Sequence, residues 1–206
     1  GGQTYRLAHR YKINKGRRIG SGRIILSQKM TFEEFCSKRS SSNFLLIFDI
    51  LCSMKWKNPP IIKIYEALGA IADDRVEILE NKAKVFSSSR NKFYDVIYSS
   101  EEKAIMTNDN GSYWKSYLGY PSIAFLMKIG ILSYDEKIAI LLKDIEWKNI
   151  NQKFKNDFDK TLDYILSSKS EEEKEMLKNF VDKINDEIKN INLNYLGKKV
   201  LPPVGY

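Results

Sequence analysis

The sequence predicts an α+β fold: a small antiparallel sheet of about four strands over residues 75–108, packed against N-terminal and C-terminal helices. Three observations carry this. Between Arg75 and Asn108 the segments RVEILE, KAKVFSS, KFYDVIYS and KAIMTN alternate apolar and polar residues with a period of two. The breaks between them, Glu80-Asn81, Ser87 to Asn91 and Ser99 to Glu102, are short enough for consecutive hairpins. On either side of this region, apolar residues recur at helical spacing.

Taken in order, the chain reads as a flexible basic arm (1–29), a single α+β domain (30–192) and a C-terminal tail (193–206). Within the domain the segments are helical (31–72), sheet (75–108) and helical again (113–191). Thr31 followed three residues on by Glu34 is a capping-box pattern, and a short helix runs from it to about Arg39. A second helix, from about Ser42 to about Lys57, is apolar on most faces. Asn58-Pro59-Pro60 stops it, because a residue before proline is pushed out of the helical region. A third helix, Pro60 to Ala72, carries Ile61, Ile64, Tyr65 and Leu68. Followed by a hairpin, it invites a winged helix-turn-helix reading. Yet its only reaching polar side chains are Lys63 and Glu66, so it reads as packing and not as a groove reader.

In the strand region Val76 and Ile78, Ala83 and Val85, and Tyr94, Val96 and Tyr98 form the alternating set. Asn108-Asp109-Asn110-Gly111 is a turn, expected from the tolerance of Asn and Gly for positive φ. An apolar helix follows from Tyr113 to about Ile129. Beyond it come a short helix (134–144), a longer one from Trp147 to about Leu166, and a last one from Glu171 to about Ile191. The final helix opens on three glutamates and carries lysines later, which suits its dipole. Phe180, Val181 and Ile184 give it an apolar stripe, and two prolines mark the tail as extended.

The 206 residues carry a net charge of +8. Of the 34 bases, eight lie in residues 1–29, which hold no acid, so the other 26 balance the 26 acids. The excess belongs to the arm. Such an arm binds phosphates through counterion release, and its candidate residues are Arg6, Arg10, Lys12, Lys15, Arg17, Arg18 and Arg23.

The composition excludes several chemistries. The one histidine, His9, sits in the arm, so no positioned imidazole serves a Ser-His-Asp or Cys-His mechanism. Cys36 and Cys52 cannot complete a structural zinc site and read as buried thiols of a reducing compartment. Gly20-Ser21-Gly22-Arg23 lacks the Lys-Ser/Thr of a P-loop. No apolar run reaches the ~20 residues of a membrane span, and no signal peptide is visible. The expectation is a cytoplasmic protein without metal or cofactor, and with no membrane partner.

Two constellations remain. Glu80-Asn81-Lys82 has the Glu-x-Lys form of a large nuclease class, with Asp73 or Asp74 as a second carboxylate for magnesium. Its position at a tight turn argues for a solvated hairpin. Tyr113, Trp114, Tyr117 and Tyr120 beside Lys115 form a better candidate, since aromatics next to a base stack on nucleotides. Positions 113, 117 and 120 share one face of the expected helix, so Trp114 and Lys115 are the site residues taken from this cluster.

With Phe93-Tyr94-Asp95-Val96 on a strand and Ile123-Ala124-Phe125-Leu126 on the following helix, residues 82–132 resemble the SWIM zinc-binding domain, which has a Tyr-Asp-Val strand and a helix carrying its second ligand pair in those places. The Cys-x-Cys and Cys-x-His ligand pairs are replaced by Met106-Thr107-Asn108 and Tyr120-Pro121-Ser122, so zinc is not expected. The resemblance implies that side-chain packing, with Met106 and Tyr120 as fillers, stands in for the metal. It also implies an interaction module without catalysis. The expected function is a non-enzymatic binding module with DNA or RNA as partner. The alternatives are a protein–protein interaction or structural subunit and, third, the metal-dependent nuclease.

Overall fold

A computed structural model describes residues 55–197 and 200–202, all within one compact unit, Ile47–Tyr206. The basic arm, both cysteines and the helices expected over residues 31–54 lie outside the described residues.

The second expected helix does not reach Lys57. Lys55 bridges Asn194 and Lys57 bridges Tyr117, so the chain is already extended there. Trp56 drives this: its ring meets Tyr195 edge-on at 4.8 Å and its Nε1–H donates to Asn194 O at 3.1 Å. Helix α1 spans Ile62–Ala72. Ile62, Ile64, Tyr65, Ala67, Leu68, Ala70 and Ile71 bury its faces all round, which makes it the central core helix.

The sheet follows as a meander: β1 (Val76–Leu79), β2 (Lys82–Phe86), β3 (Phe93–Ser99) and β4 (Ala104–Thr107). Its register places Val76, Val85 and Tyr94 in one row and Ile78, Ala83, Val96 and Thr107 in the next. These rows alternate as expected, and Ala83, Val85 and Val96 are buried beneath the helices. The sheet is mixed, not purely antiparallel. Asn194–Tyr195 forms β5, parallel to β4, and its flanks are tied by Asn194 N–H to Lys103 O (2.7 Å) and Leu196 N–H to Ile105 O (3.1 Å). Residues expected as a tail thus complete the sheet.

The single helix expected from Tyr113 to Ile129 is two pieces. A π-helical turn, Gly111–Lys115, ends at Ser116 in the left-handed region (φ 61°), and α2 begins only at Tyr120 and runs to Lys128. Pro121 in the first turn of α2 fixes that restart. Helix α2 covers the inner face of the sheet and packs on α1, joined by Ile123, Ala124, Phe125 and Leu126. Thr107 at the end of β4 and Ser122 in α2 are both fully buried, and their hydroxyls bond to each other. Met106 faces the opposite way, into a second cluster with Tyr113, Leu196 and Val200. The contact between these two segments is therefore a hydroxyl pair, and Met106 and Tyr120 fill different places.

Beyond Ser133, α3 (Glu136–Ala139) continues into a 3₁₀ turn, Ile140–Leu142. The long helix expected from Trp147 to Leu166 is also divided, into α4 (Trp147–Lys153) and α5 (Phe158–Leu166). Lys155 and Asn156 at positive φ end the first, and the Asp157 side chain accepts from Lys160 N–H to begin the second. Helix α6 (Glu171–Asn190) carries a full capping box, Ser170 with Glu173, and buries Leu177, Val181, Ile184 and Ile188. Among the described residues no helix is long and apolar enough to cross a membrane.

Candidate functional site

Where α1, the β2–β3 end of the sheet, the turn before α2, and α4 converge, they leave a cleft of about 400 Å³. Its floor is set by Arg75, which follows α1 directly and is almost wholly buried. The guanidinium donates from Nε to Asp73 Oδ2 (3.0 Å) and from Nη1 to the Phe86 carbonyl (3.0 Å). Both bonds fix its plane. Asp73 is held in turn, because its Oδ1 accepts from Asp144 N–H at 2.7 Å.

One wall is a polar chain from α1 to α4. Lys63 Nζ donates to both oxygens of Glu66 at 2.8 Å, and Asn151 Nδ2 donates to Glu66 Oε1 at 2.9 Å. Glu66 is buried, and these bonds compensate its charge. They also orient the Asn151 amide: the nitrogen must meet the carboxylate, so Oδ1 is turned away from it.

The opposite wall is aromatic. Tyr94 of β3 and Tyr120 of α2 meet edge-on at 5.8 Å, and Tyr120 Oη lies 3.5 Å from Phe86 O. Burial raises the Tyr120 phenol well above its ordinary value, helped by the negative charge that Tyr94, Glu66 and Asp109 would bring and opposed by Arg75. Tyr117 lies beside them, against Gly111, where a Cβ would fall 2.3 Å from the Tyr117 ring. The turn at Asn108–Gly111 thus needs glycine for close approach. None of these four residues has a positive φ, contrary to the expected reason for the turn.

Asp109 closes the far end. Its Oδ1 accepts the Gly111 and Ser112 amides at 2.9 and 3.1 Å, and its carboxyl packs against Gly119. Burial raises its pKa above 3.8, although Ser112, Lys63 and Gly111 pull the other way. Lys92 and Lys148 both line the cleft, Lys92 Nζ lying 5.2 Å from the centre of the Tyr94 ring, and Ser88 Oγ accepts Lys148 N–H at 2.9 Å to hold that side together. The Lys92 pKa is lowered, first by burial and then by the Lys148 charge.

The described residues include four buried side-chain polar atoms without a hydrogen-bond partner: Arg75 Nη2, Asp109 Oδ2, Asn151 Oδ1 and Trp147 Nε1. All four belong to residues that line this cleft. An uncompensated buried polar atom costs about 1–3 kcal/mol, so such atoms gather where a ligand or ordered solvent completes them. Trp147 Nε1 is a separate case. It sits over Gly69, where a Cβ would come within 2.8 Å of it, so it serves the contact between α1 and α4.

The sequence-predicted site residues divide. Arg6, Arg10, Lys12, Lys15, Arg17, Arg18 and Arg23 lie outside the described residues. Lys115 is exposed on the cleft rim, with Tyr117 and Tyr120 below it. Trp114 is 61% exposed next to this rim, its ring edge-on to Tyr113 at 4.7 Å. Tyr113 itself is buried in the second cluster, so positions 113, 117 and 120 do not share a helical face. Glu80 stands at the β1–β2 turn with φ 53° and is exposed, while Asp73 lies beyond the other end of β1. A strand of four residues separates them by about 13 Å, and the nuclease constellation is not brought together. Among the described residues no group of three or more His, Cys, Asp or Glu is placed to hold a metal ion. Sequence reading missed Arg75, Lys92, Lys148, Asn151 and Asp109, which share no spacing.

Fold and site together define an α+β domain with a polar cleft ringed by cationic side chains. The chain belongs to the family described as uncharacterised conserved protein UCP014422, whose model matches residues 56–194. No curated protein matches the chain, and no solved structure does.

Proposed function

We propose that this protein is a binding module without chemistry of its own, and that its partner is a single-stranded nucleic acid. One observation carries the reading: the cleft lining holds Lys92, Lys115 and Lys148 beyond the two cations, Lys63 and Arg75, that pair with Glu66 and Asp73, and its other acid is Asp109. Cations attract the phosphate backbone, and Tyr94, Tyr117 and Tyr120 add aromatic surface to the lining, the combination that single-strand binders use. The eight bases of residues 1–29 add affinity without sequence preference. The resemblance to an interaction module agrees with this.

The test is fluorescence anisotropy with a labelled single-stranded oligonucleotide across a salt series. Binding should weaken with salt, with a logarithmic slope of about −0.7 for each phosphate neutralised. Removing residues 1–29 should flatten that slope and leave residual binding. Affinity indifferent to salt would reject the reading in favour of a protein partner.

A further inference from the structure

We infer that the cleft seats one terminal nucleotide unit, with its phosphate monoester on Arg75 Nη2 and a donor edge of its base on Asn151 Oδ1. This rests on the nucleic-acid reading and narrows it to a strand end. A free mononucleotide presents the same chemistry.

Size comes first. At about 400 Å³ the cleft falls at the small end of ligand sites, roughly 300–1,000 Å³. That suits one nucleotide and not a duplex. The floor then selects the phosphate. Arg75 already spends Nε and Nη1 on Asp73 and Phe86, so Nη2 is a pre-oriented donor that needs no rearrangement to meet an anion. Nη2 itself is shut off from solvent, so what reaches it must be the narrow end of a ligand. A terminal phosphate meets that condition, and a diester with a nucleotide on each side does not.

The remaining groups set what else the ligand must carry. Asn151 Oδ1 is an acceptor, with its orientation imposed by Glu66, and it calls for a donor. A phosphate monoester dianion has no hydrogen to donate, so the donor must come from elsewhere in the ligand, and the N–H groups of a base supply it. Asp109 would repel a phosphate if ionised, and burial favours its neutral form. Lys92 and Lys148, both in the lining, add like charge that an anion held in the cleft would offset. Lys63 is already committed to Glu66.

The experiment compares three internally labelled versions of one short single strand: 5′-phosphorylated, 3′-phosphorylated and unphosphorylated. Unlabelled adenosine monophosphate is the competitor. Arg75 also holds Asp73 and Phe86, so the variant is Lys148→Glu on the rim. Lys137→Glu, away from the cleft, serves as an equal-charge control, and circular dichroism checks that both fold. One of the phosphorylated strands should bind about tenfold more tightly than the unphosphorylated one, a difference well within reach of anisotropy. The monophosphate should compete, and Lys148→Glu should abolish the preference that Lys137→Glu keeps. Equal binding of all three strands, insensitive to Lys148→Glu, overturns the cleft inference and leaves the nucleic-acid reading standing. Monophosphate binding that Lys148→Glu weakens, without strand binding, does the reverse. Silence from every probe sinks both.

Discussion

Asp73 and Arg75 form an ion pair at 3.0 Å whose side chains are 11% and 3% exposed, so it is nearly shut off from solvent. The pair locks the turn from α1 into β1. Through Asp73 Oδ1 on Asp144 N–H it also holds the segment that leads into α4. Removing one partner of such a pair strands the other charge. Asp73→Ala should therefore lower stability by about 3 kcal/mol, read as a reduced urea midpoint with unchanged slope. A loss below about 1 kcal/mol, the value of an exposed pair, would show that solvent reaches Arg75.

Gly119 touches the Asp109 carboxyl so closely that a Cβ would lie 2.3 Å from both oxygens. Asp109 cannot retreat without giving up the Gly111 and Ser112 amides. Gly119→Ala should cost about 2 kcal/mol through this overpacking. Gly130→Ala is the comparison: φ is +76° with nothing within 4 Å, so its cost should be the backbone strain alone, about 1 kcal/mol. Thermal melts of both variants separate the two causes.

The proton on Asp109 gives a pH signature. Its pKa is raised above the ordinary 3.8, so the folded chain keeps a proton that the unfolded chain releases. Stability from this group is present below pH 3.8 and is lost as pH rises through the folded value. Asp109→Asn keeps an oxygen for the two amides and removes the titration. Its melting temperature relative to wild type should climb as pH rises above 3.8. A relative fall over that interval would mean the carboxylate is held ionised.

Glu187 of α6 reaches the loop after α2, accepting from Ser133 N–H at 2.8 Å and from Ser133 Oγ–H at 2.6 Å. Its carboxylate is half-buried, so these bonds count for more than surface contacts. Glu187→Ala should cost about 1.5–3 kcal/mol. Glu187→Gln, able to keep one acceptor, should recover part of that. Hydrogen exchange at the Ser133 amide tests the assignment directly and should accelerate in the alanine variant.

The sheet was readable because its signals are local. Ala83, Val85 and Val96 alternate within their own strands, and short breaks leave little room for anything but hairpins. Helix α1 was readable for the same reason. Strand β5 was not: two residues show no period, and Asn194–Tyr195 become a strand only when β4 is beside them. The divisions at Ser116 and at Lys155–Asn156 break apolar patterns that otherwise run on, and left-handed backbone at non-glycine residues has a weak local signature. The site divides in the same way. Lys115 and Trp114 drew notice because they sit among tyrosines, yet the structure sets them on the margin of the cleft. Arg75, Lys92, Asp109 and Asn151 come together through tertiary packing of four elements. An isolated arginine after Asp73-Asp74 looks like an ordinary turn.

Trp56 and Asn194 bond across 138 residues of sequence. The short extended stretch that opens the described chain and the two-residue strand near its close thus secure each other, as a buckle closes a belt. Neither end frays alone: trimming the segment around Tyr195 would set Trp56 adrift, and replacing Trp56 would loosen the margin of the sheet beside Ala104. Such a domain should lose its structure in one step, without peeling from either side.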